Sequence, residues 1–354
     1  MRSIAFALAA TTALTAGAAT AQQTTLRIQT HYNPEQTSGQ LAQEFFDKIE
    51  AMSNGEITIE PFFSSSVVKT VETFDAAATG ILDCDMTGGA YQTGKNPAFQ
   101  FVGDIMGGYD TPYQQLSWLY YGGGLEAAQE LYNQFDMQLV GWWVYGQESL
   151  SSKTPVTTVA DLQNWKFRSP PGMETKIFEK LGAVPVVMDF TEVFTALETG
   201  IIDATDYSGL ANNESIGLFD LVENATYPGF HSMPSDHLAC NKDVWDGLSE
   251  QHRRIIDTAW QKLSFQIALL NEKANAEAAA DLQEQGVTLY DWSPEDRARF
   301  REAAQVAWED WDTRSPEAGA LLESHKTYLT DLGLIGGGSS GGEAEGGEGE
   351  STAQ

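Results

Sequence analysis

Residues 194–205 read FTALETGIIDAT, and this stretch decides the fold of the chain. Apolar residues at three-to-four spacing predict a helix over residues 191–199, and Gly200 supplies a tight turn. Residues 202–206 then predict a buried strand, and residues 185–188 (PVVM) predict another strand upstream. Strand, helix and strand in this order indicate an α/β unit with a largely parallel sheet.

The same rhythm opens the chain. Residues 25–30 alternate as a strand does, residues 38–52 have helical spacing, and residues 56–60 predict a second strand. Long helical patterns run over residues 249–285 and 294–311 near the other end. We therefore predict two α/β lobes with a long C-terminal helical region.

The boundaries of these units follow from the positions of the predicted elements and from composition. We expect a discontinuous first lobe at residues 22–145 plus about 234–290, because the chain of a two-lobed protein crosses between its lobes more than once. The remaining predicted segments are a signal peptide at 1–21, a second lobe at 146–233, a helical region packing on the lobes at 291–335, and a disordered Gly/Ser/Glu tail at 336–354.

The first residues have the pattern of an export signal. Arg2 precedes an apolar run over residues 4–19, and Ala-Thr-Ala at 19–21 is a small-x-small cleavage site. The run is short and rich in Ala and Thr for a membrane span. We expect a periplasmic protein that begins near Gln22.

The charge of the chain limits its partners. Fifty acidic residues stand against 20 basic ones, for a formal net charge of −30. Nucleic acid and anionic membrane surfaces both attract basic patches, so we predict neither as a partner. Dispersed acidic residues are typical of a solubilising surface.

The chain has two cysteines, Cys84 and Cys240. An oxidising compartment permits a disulfide, but each cysteine lies in an apolar run and is more simply a buried small side chain. The five histidines and two cysteines form no CxxC, no HExxH and no Cys/His cluster with zinc spacing.

Four segments resemble the solute-binding proteins of tripartite ATP-independent periplasmic (TRAP) transporters. They are GKNPAF at 94–99, WLYYGGG at 118–124, KFR at 166–168 followed by Pro-Gly, and FTALETGIIDAT at 194–205. The resemblance covers residues 25–332 and is greatest to the branch that binds 2-oxo acids and similar monocarboxylates. It implies a two-lobed periplasmic-binding-protein-like α/β fold with hinge strands. It also implies that the protein is not an enzyme and that it delivers a small organic acid to membrane permease subunits. The long C-terminal helices permit a homodimer, as in that branch.

Arg168 is the leading candidate for ligand binding. Its planar guanidinium can hold a carboxylate through two parallel hydrogen bonds. It also matches the carboxylate-binding arginine of the family.

The resemblance suggests further site residues. Asp206 and Tyr207 end the matched strand where the branch places Glu-Trp, Gln147 lies near a pocket glutamine of that branch, and Tyr91 and Gln92 lie where the family has lining aromatics. Asn212 takes the place of a polar residue that follows the strand. The alternative for each of these residues is a structural role, in which a loop side chain is hydrogen-bonded to the backbone and does not contact ligand.

A metal ion is not expected, although Asp206 and Tyr207 are the positions that would hold one. His237 falls where the metal-dependent branch carries a second glutamate, and imidazole is a poor ligand for calcium or sodium. Asp236 could substitute only if the register slips. Without a metal, His237 and Asp206 could hydrogen-bond a hydroxyl, keto or amino group of the ligand.

The sequence is also compatible with other functions. The same fold could bind an aromatic acid, a dicarboxylate or a sulfonate, or serve as a sensor module. A secreted enzyme with a carboxylate pair is the alternative from another class, although no Gly-x-Ser-x-Gly elbow supports it.

Overall fold

The computed structural model of the chain describes residues 23–170, 172–188 and 192–336. The predicted signal peptide at 1–21 lies outside these residues, as does the predicted tail at 336–354 apart from Gly336. Within the described ranges, every helix is too short or too polar to span a bilayer.

The described residues form strands and helices that alternate over most of the chain. The strands are β1 Thr24–Thr30, β2 Ile57–Phe62, β3 Cys84–Met86, β4 Met137–Val144, β5 Leu150–Ser152, β6 Lys166–Ser169, β7 Val184–Val187, β8 Ala204–Asp206, β9 Asn224–Thr226, β10 Ser235–Asn241 and β11 Thr288–Tyr290. The α-helices are α1 Thr37–Met52, α2 Thr73–Ala78, α3 Phe99–Gly103, α4 Pro112–Tyr121, α5 Gly124–Asn133, α6 Met173–Lys180, α7 Val193–Glu198, α8 Leu210–Ser215, α9 Lys242–Gly247, α10 Glu250–Glu284, α11 Pro294–Asp312 and α12 Pro316–Asp331.

The strands form two sheets. The first has the order β2-β1-β3-β10-β4, in which β1 is parallel to both neighbours and β10 is antiparallel to both of its own. The second has the order β11-β9-β5-β8-β6-β7. Strand β11 lies in the stretch 234–290, which the sequence assigned to the first lobe, but it pairs with β9 of the second sheet. The chain passes between the sheets after β4, before β10 and after α10.

The FTALETGIIDAT stretch has the predicted structure. It forms α7, a left-handed turn at Gly200 (φ +73°) and β8, which lies between β5 and β6 inside the second sheet. A side chain at Gly200 would be strained by its positive φ, which explains the glycine. The helix–turn–strand prediction is confirmed, and it places the end of β8 at the site described below.

Helix α10 connects the two sheets. Trp260 and Leu263 pack in the core beside the first sheet, whereas Ala278 and Leu282 pack with Ala225 of β9 in the second. The predicted helix over residues 249–285 is confirmed. Helix α12 lies within the helical region predicted at 291–335, although its short apolar pattern, with Leu321 and Leu322 buried, did not mark it as a separate helix.

Cys84 and Cys240 form a disulfide, so their interpretation as reduced buried side chains was wrong. They lie opposite each other on the antiparallel strands β3 and β10. A sequence separation of 156 residues gives no sign of this proximity, which the pairing of the two strands creates.

Candidate functional site

A cavity of about 370 Å³ is lined by residues that follow the carboxyl ends of strands in both sheets. His31 follows β1, Tyr145 follows β4 and Tyr207 follows β8, while Arg168 lies near the end of β6. Open α/β sheets commonly bind ligands at this edge, where loops diverge and leave space. The volume suits a small molecule.

Arg168 is held rigidly in the wall of this cavity. Its Nη1 donates to the backbone oxygen of Asp206 across 2.7 Å, and its Nε donates to the backbone oxygen of Met188 across 3.2 Å. The residue is only 4% exposed, and Nη2 has no hydrogen-bond partner among the described residues. A buried guanidinium with an available donor is suited to an anionic ligand group.

Four carboxyl groups, those of Asp104, Glu148, Glu174 and Asp206, line the same cavity and are buried. The Ser232 hydroxyl lies 2.7 Å from Asp104 Oδ2 and 2.9 Å from Glu148 Oε2. One hydroxyl carries one proton, so it can donate to only one of these oxygens. The second contact is a hydrogen bond only when that carboxyl is protonated and donates in turn.

The pKa values agree with this sharing of protons. Burial raises the pKa of Asp104 to about 7, opposed by the Ser232 and Met233 hydrogen bonds and aided by the charge of Asp206. Burial, together with the same charge, raises the pKa of Glu148 and of Glu174 well above the ordinary value. These three groups therefore hold protons more readily than exposed carboxyls.

Asp206 behaves in the opposite way. Burial favours its neutral form, but the charge and hydrogen bond of His231, with Arg168, hold its pKa below the ordinary value. His231 Nε2 lies 3.0 Å from Asp206 Oδ1 and is fully buried. Asp206 is thus the ionised member of the cluster.

A second acidic corner lies around Asp236, at the start of β10. Its Oδ2 accepts hydrogen bonds from the Tyr32 hydroxyl and from Trp143 Nε1 at 3.3 Å, and His31 Nε2 lies 3.5 Å away. Tyr91 lines the cavity beside it. Aromatic residues and one carboxylate therefore form this part of the wall.

The structure brings five of the predicted residues together. Arg168, Asp206, Tyr207, Tyr91 and Asn212 all line the cavity. They come from three separate segments of the chain. These segments are the end of β6, the end of β8 with the residues that follow it, and the loop after β3. Whether they contact ligand stays a prediction.

His237 does not line the cavity with them, which corrects its predicted placement at the ligand. It is fully buried, its Nδ1 is 2.7 Å from the Tyr132 hydroxyl, and its Nε2 is 2.9 Å from Asp85 Oδ2. Successive side chains of a strand point to opposite faces, so a one-residue difference in register places Asp236, not His237, at the cavity.

Gln147 and Gln92 also lie outside the cavity wall. Gln147 Nε2 donates to the backbone oxygen of Tyr109 at 3.3 Å, and the next residue, Glu148, lines the cavity instead. Gln92 is buried at the end of the turn that carries Tyr91.

Four residues that shape the cavity were not among the predicted site residues. They are Tyr32, Asp104, Glu148 and Glu174. Each lies in a loop or at a helix start, where no periodicity marks it. Asp236 had a usable signal, because the strand alternation around it separates its face from that of His237.

Glu148, Asp206 and His231 offer ligand atoms that all lie within 4.8 Å of one another. Two carboxylates and an imidazole are a donor set that zinc-type ions accept, whereas calcium and sodium prefer oxygen throughout. Here the imidazole nitrogen of His231 is hydrogen-bonded to the Asp206 carboxylate. This hydrogen bond occupies the carboxylate oxygen that a hard cation would bind. Glu148, Asp206 and His231 therefore do not fit a calcium or sodium site.

Comparison with known sequences places this chain in a family. The sequence profile described as "Bacterial extracellular solute-binding protein, family 7" matches residues 28–314. A monocarboxylate 2-oxoacid-binding periplasmic protein of Nostoc sp. is 28% identical over 299 residues, which cover 81% of this chain and 78% of that protein.

Solved structures show the same architecture. A TRAP periplasmic solute-binding protein of Rhodobacter sphaeroides, in an open ligand-free form, is 34% identical with a TM-score of 0.73, covering 88% of this chain and 99% of that one. A TRAP solute-binding protein of Bordetella bronchiseptica, a dimer with copurified calcium and picolinate, is 23% identical with a TM-score of 0.80, covering 88% and 93%. The predicted two-lobed α/β fold with a long C-terminal helix is confirmed.

Proposed function

The chain belongs to the bacterial extracellular solute-binding proteins of family 7, which serve TRAP transporters, and on that premise we propose that it captures a small organic acid at Arg168. The predictions of a periplasmic location and of a binding protein without catalytic activity are confirmed by this membership. A secreted enzyme with a carboxylate pair is thereby excluded.

One observation carries the proposal. Arg168 is buried at the cavity with Nε and Nη1 bound to backbone oxygens, so the guanidinium is oriented before a ligand arrives. A carboxylate at Nη2 would gain a charge-assisted hydrogen bond with little loss of side-chain entropy. Monocarboxylates such as 2-oxo and 2-hydroxy acids are the first class to test, because the Nostoc relative is named for them.

The test is a thermal-shift screen of the mature protein against small organic acids, followed by calorimetric titration. The panel contains 2-oxo acids, 2-hydroxy acids, dicarboxylates, aromatic acids and sulfonates. A ligand that binds only the folded state raises the melting temperature. We expect at least one carboxylate class to do so.

Arg168→Ala should reduce the affinity for that ligand by at least about a hundredfold, since a carboxylate in a closed cavity loses its charged partner. Lys166→Ala is the matched control, because Lys166 is an exposed cation on the same strand. Equal affinity of the Arg168 variant and the control would remove Arg168 from the site.

Assembly and delivery complete the proposal. The family implies a membrane permease as the partner that receives the ligand. Helix α10 exposes Phe265, Leu269 and Leu270, which supports the predicted homodimer through C-terminal helices. Sedimentation of the mature protein at several concentrations measures this directly.

A further inference from the structure

The cavity wall has more acidic than basic side chains. Five carboxyl groups line it, whereas Arg168 is the one lysine or arginine among the described lining residues. A monocarboxylate bound at Arg168 would add a further negative charge to this wall. Asp104, Glu148 and Glu174 hold protons readily, and His231 and Arg168 offset the charge of Asp206. Asp236 is therefore the carboxylate of the wall that a positive charge on the ligand would meet.

Most of the carboxyl groups already have partners. Asp206 is paired with His231, Asp104 and Glu148 share the Ser232 hydroxyl, and Glu174 accepts from Ser169 Oγ at 2.5 Å. Glu174 and Asp206 also interact with the charge of Arg168. Asp236 is the remaining acidic residue of the wall.

Asp236 is placed differently. Tyr32 and Trp143, which are neutral, donate to Oδ2, and His31 Nε2, 3.5 Å from the same oxygen, forms an ion pair with it when protonated. Among the described residues, Oδ1 receives no hydrogen bond. A buried carboxylate oxygen without a donor can accept one from a ligand.

The surroundings of Oδ1 are open and aromatic. A Cβ atom at Gly88 would lie 3.0 Å from Asp236 Oδ1 and 3.3 Å from the Tyr91 ring, so the absence of a side chain there keeps this corner free. Tyr32 and Tyr145 line the same cavity. Aromatic faces attract cations, including alkylated ammonium groups that cannot donate hydrogen bonds.

We propose that Asp236, with the rings of Tyr32 and Tyr91, is a subsite for a cationic nitrogen, and that the ligand is a zwitterion whose carboxylate binds Arg168. This inference rests on the proposed function and narrows it. The substrate class is an amino acid or betaine-like compound rather than a 2-oxo acid.

The test uses pairs of ligands that differ only in the cationic nitrogen. Glycine betaine is paired with 3,3-dimethylbutanoate, 4-aminobutanoate with pentanoate, and proline with cyclopentanecarboxylate. Each is titrated calorimetrically into the mature protein, with chelator and separately with added calcium. In the presence of chelator, we expect the dissociation constant of at least one zwitterion to be at least tenfold lower than that of its nitrogen-free partner. A tenfold ratio corresponds to about 1.4 kcal/mol of binding free energy.

Asp236→Asn preserves the shape and the Tyr32 hydrogen bond but removes the charge, and it should bring that ratio close to one. Asp243→Asn, at an exposed position of α9, is the matched control and should leave the ratio unchanged. Tyr91→Leu is a second variant that keeps the carboxylate and removes the ring, and it should also lower the ratio. Melting curves establish that each variant is folded.

Several results would overturn the inference. If the nitrogen-free carboxylates bind as tightly as the matching zwitterions, the cationic subsite is refuted and the proposed function stands. Carboxylates that bind only with calcium would show that the acidic wall takes a metal ion instead. If no carboxylate in either set or in the organic acid screen binds, the proposed function fails and this inference fails with it.

Discussion

Ser232 illustrates how single residues set the charge of the cavity. Its one hydroxyl lies between the carboxyl groups of Asp104 and Glu148, an arrangement that favours retention of a proton. Asp206, close by, is kept ionised by His231. Neighbouring carboxyl groups of the same intrinsic acidity thus take different protonation states because their partners differ.

This arrangement predicts a pH-dependent stability. The folded-state pKa of Asp104 is about 7, above that of the unfolded chain. Between about pH 4 and 7 the native state holds a proton that the unfolded chain has released, so its stabilising contribution is complete at low pH and is lost as the pH rises through 7. The free energy of unfolding of the ligand-free protein should therefore fall across this range.

Asp104→Asn should flatten this dependence, since the amide oxygen can accept from Ser232 without an ionisation cost. We expect the variant to be more stable than the natural protein by on the order of 2–4 kcal/mol at pH 8, and close to it only near pH 4, where the unfolded chain also holds the proton. Urea unfolding at a series of pH values measures both. Asp243→Asn removes an exposed carboxyl as a control, and a profile of Asp104→Asn parallel to that of the control would contradict the prediction.

Helix α10 packs one face against the core of the first sheet. Trp260 is fully buried, stacks on Trp143 at 6.0 Å between ring centroids, and meets Phe45 edge-on at 5.4 Å. Phe265, little more than one turn later, is 55% exposed. The helix therefore has one face in the core and another toward solvent, as its amphipathic pattern predicts.

Trp260→Ala should cost about 3–5 kcal/mol of unfolding free energy, because it removes a large buried ring and leaves a cavity that the rigid sheet cannot close. Phe265→Ala, on the same helix, should cost less than about 1 kcal/mol. Denaturant titration of the two variants compares them directly. Equal losses would mean that the exposed face of α10 is covered, as a dimer through this helix would require.

The whole molecule is held together by contacts that are distant in sequence. Strand β10 follows β5 to β9 of the second sheet along the chain, but it belongs to the first sheet. Cys240 on this strand is bonded to Cys84 on β3. The disulfide closes a loop of 156 residues that contains every strand of the second sheet except β11. It thereby limits the freedom of the unfolded chain rather than of one local element.

The double variant Cys84→Ser with Cys240→Ser should lose about 2–5 kcal/mol of unfolding free energy, since a long loop carries a large closure entropy. Chemical unfolding with and without a reducing agent provides the measurement. The reducing agent should lower the midpoint of the natural protein and leave the double variant unaffected. An unchanged midpoint of the natural protein under conditions that demonstrably reduce the bond would contradict the prediction.

Local patterns in the sequence determined a large part of this protein. The spacing in residues 194–205 predicts α7, the Gly200 turn and β8, and the long pattern of residues 249–285 predicts α10. Arg168 could be singled out because its neighbours match a family motif, and the structure places it in the cavity wall. These features depend on residues that are close in sequence, so their signal is complete within a short window.

Only the tertiary structure decided which side chains share the cavity. Asp236 and His237 are adjacent in sequence, yet one faces the cavity and the other is bonded to Asp85 in the core. The pairing of β10 with β3 and β4 sets that choice, and the same pairing joins Cys84 to Cys240. Strand register and the meeting of distant loops depend on packing across the whole chain, and no short window of sequence contains that information.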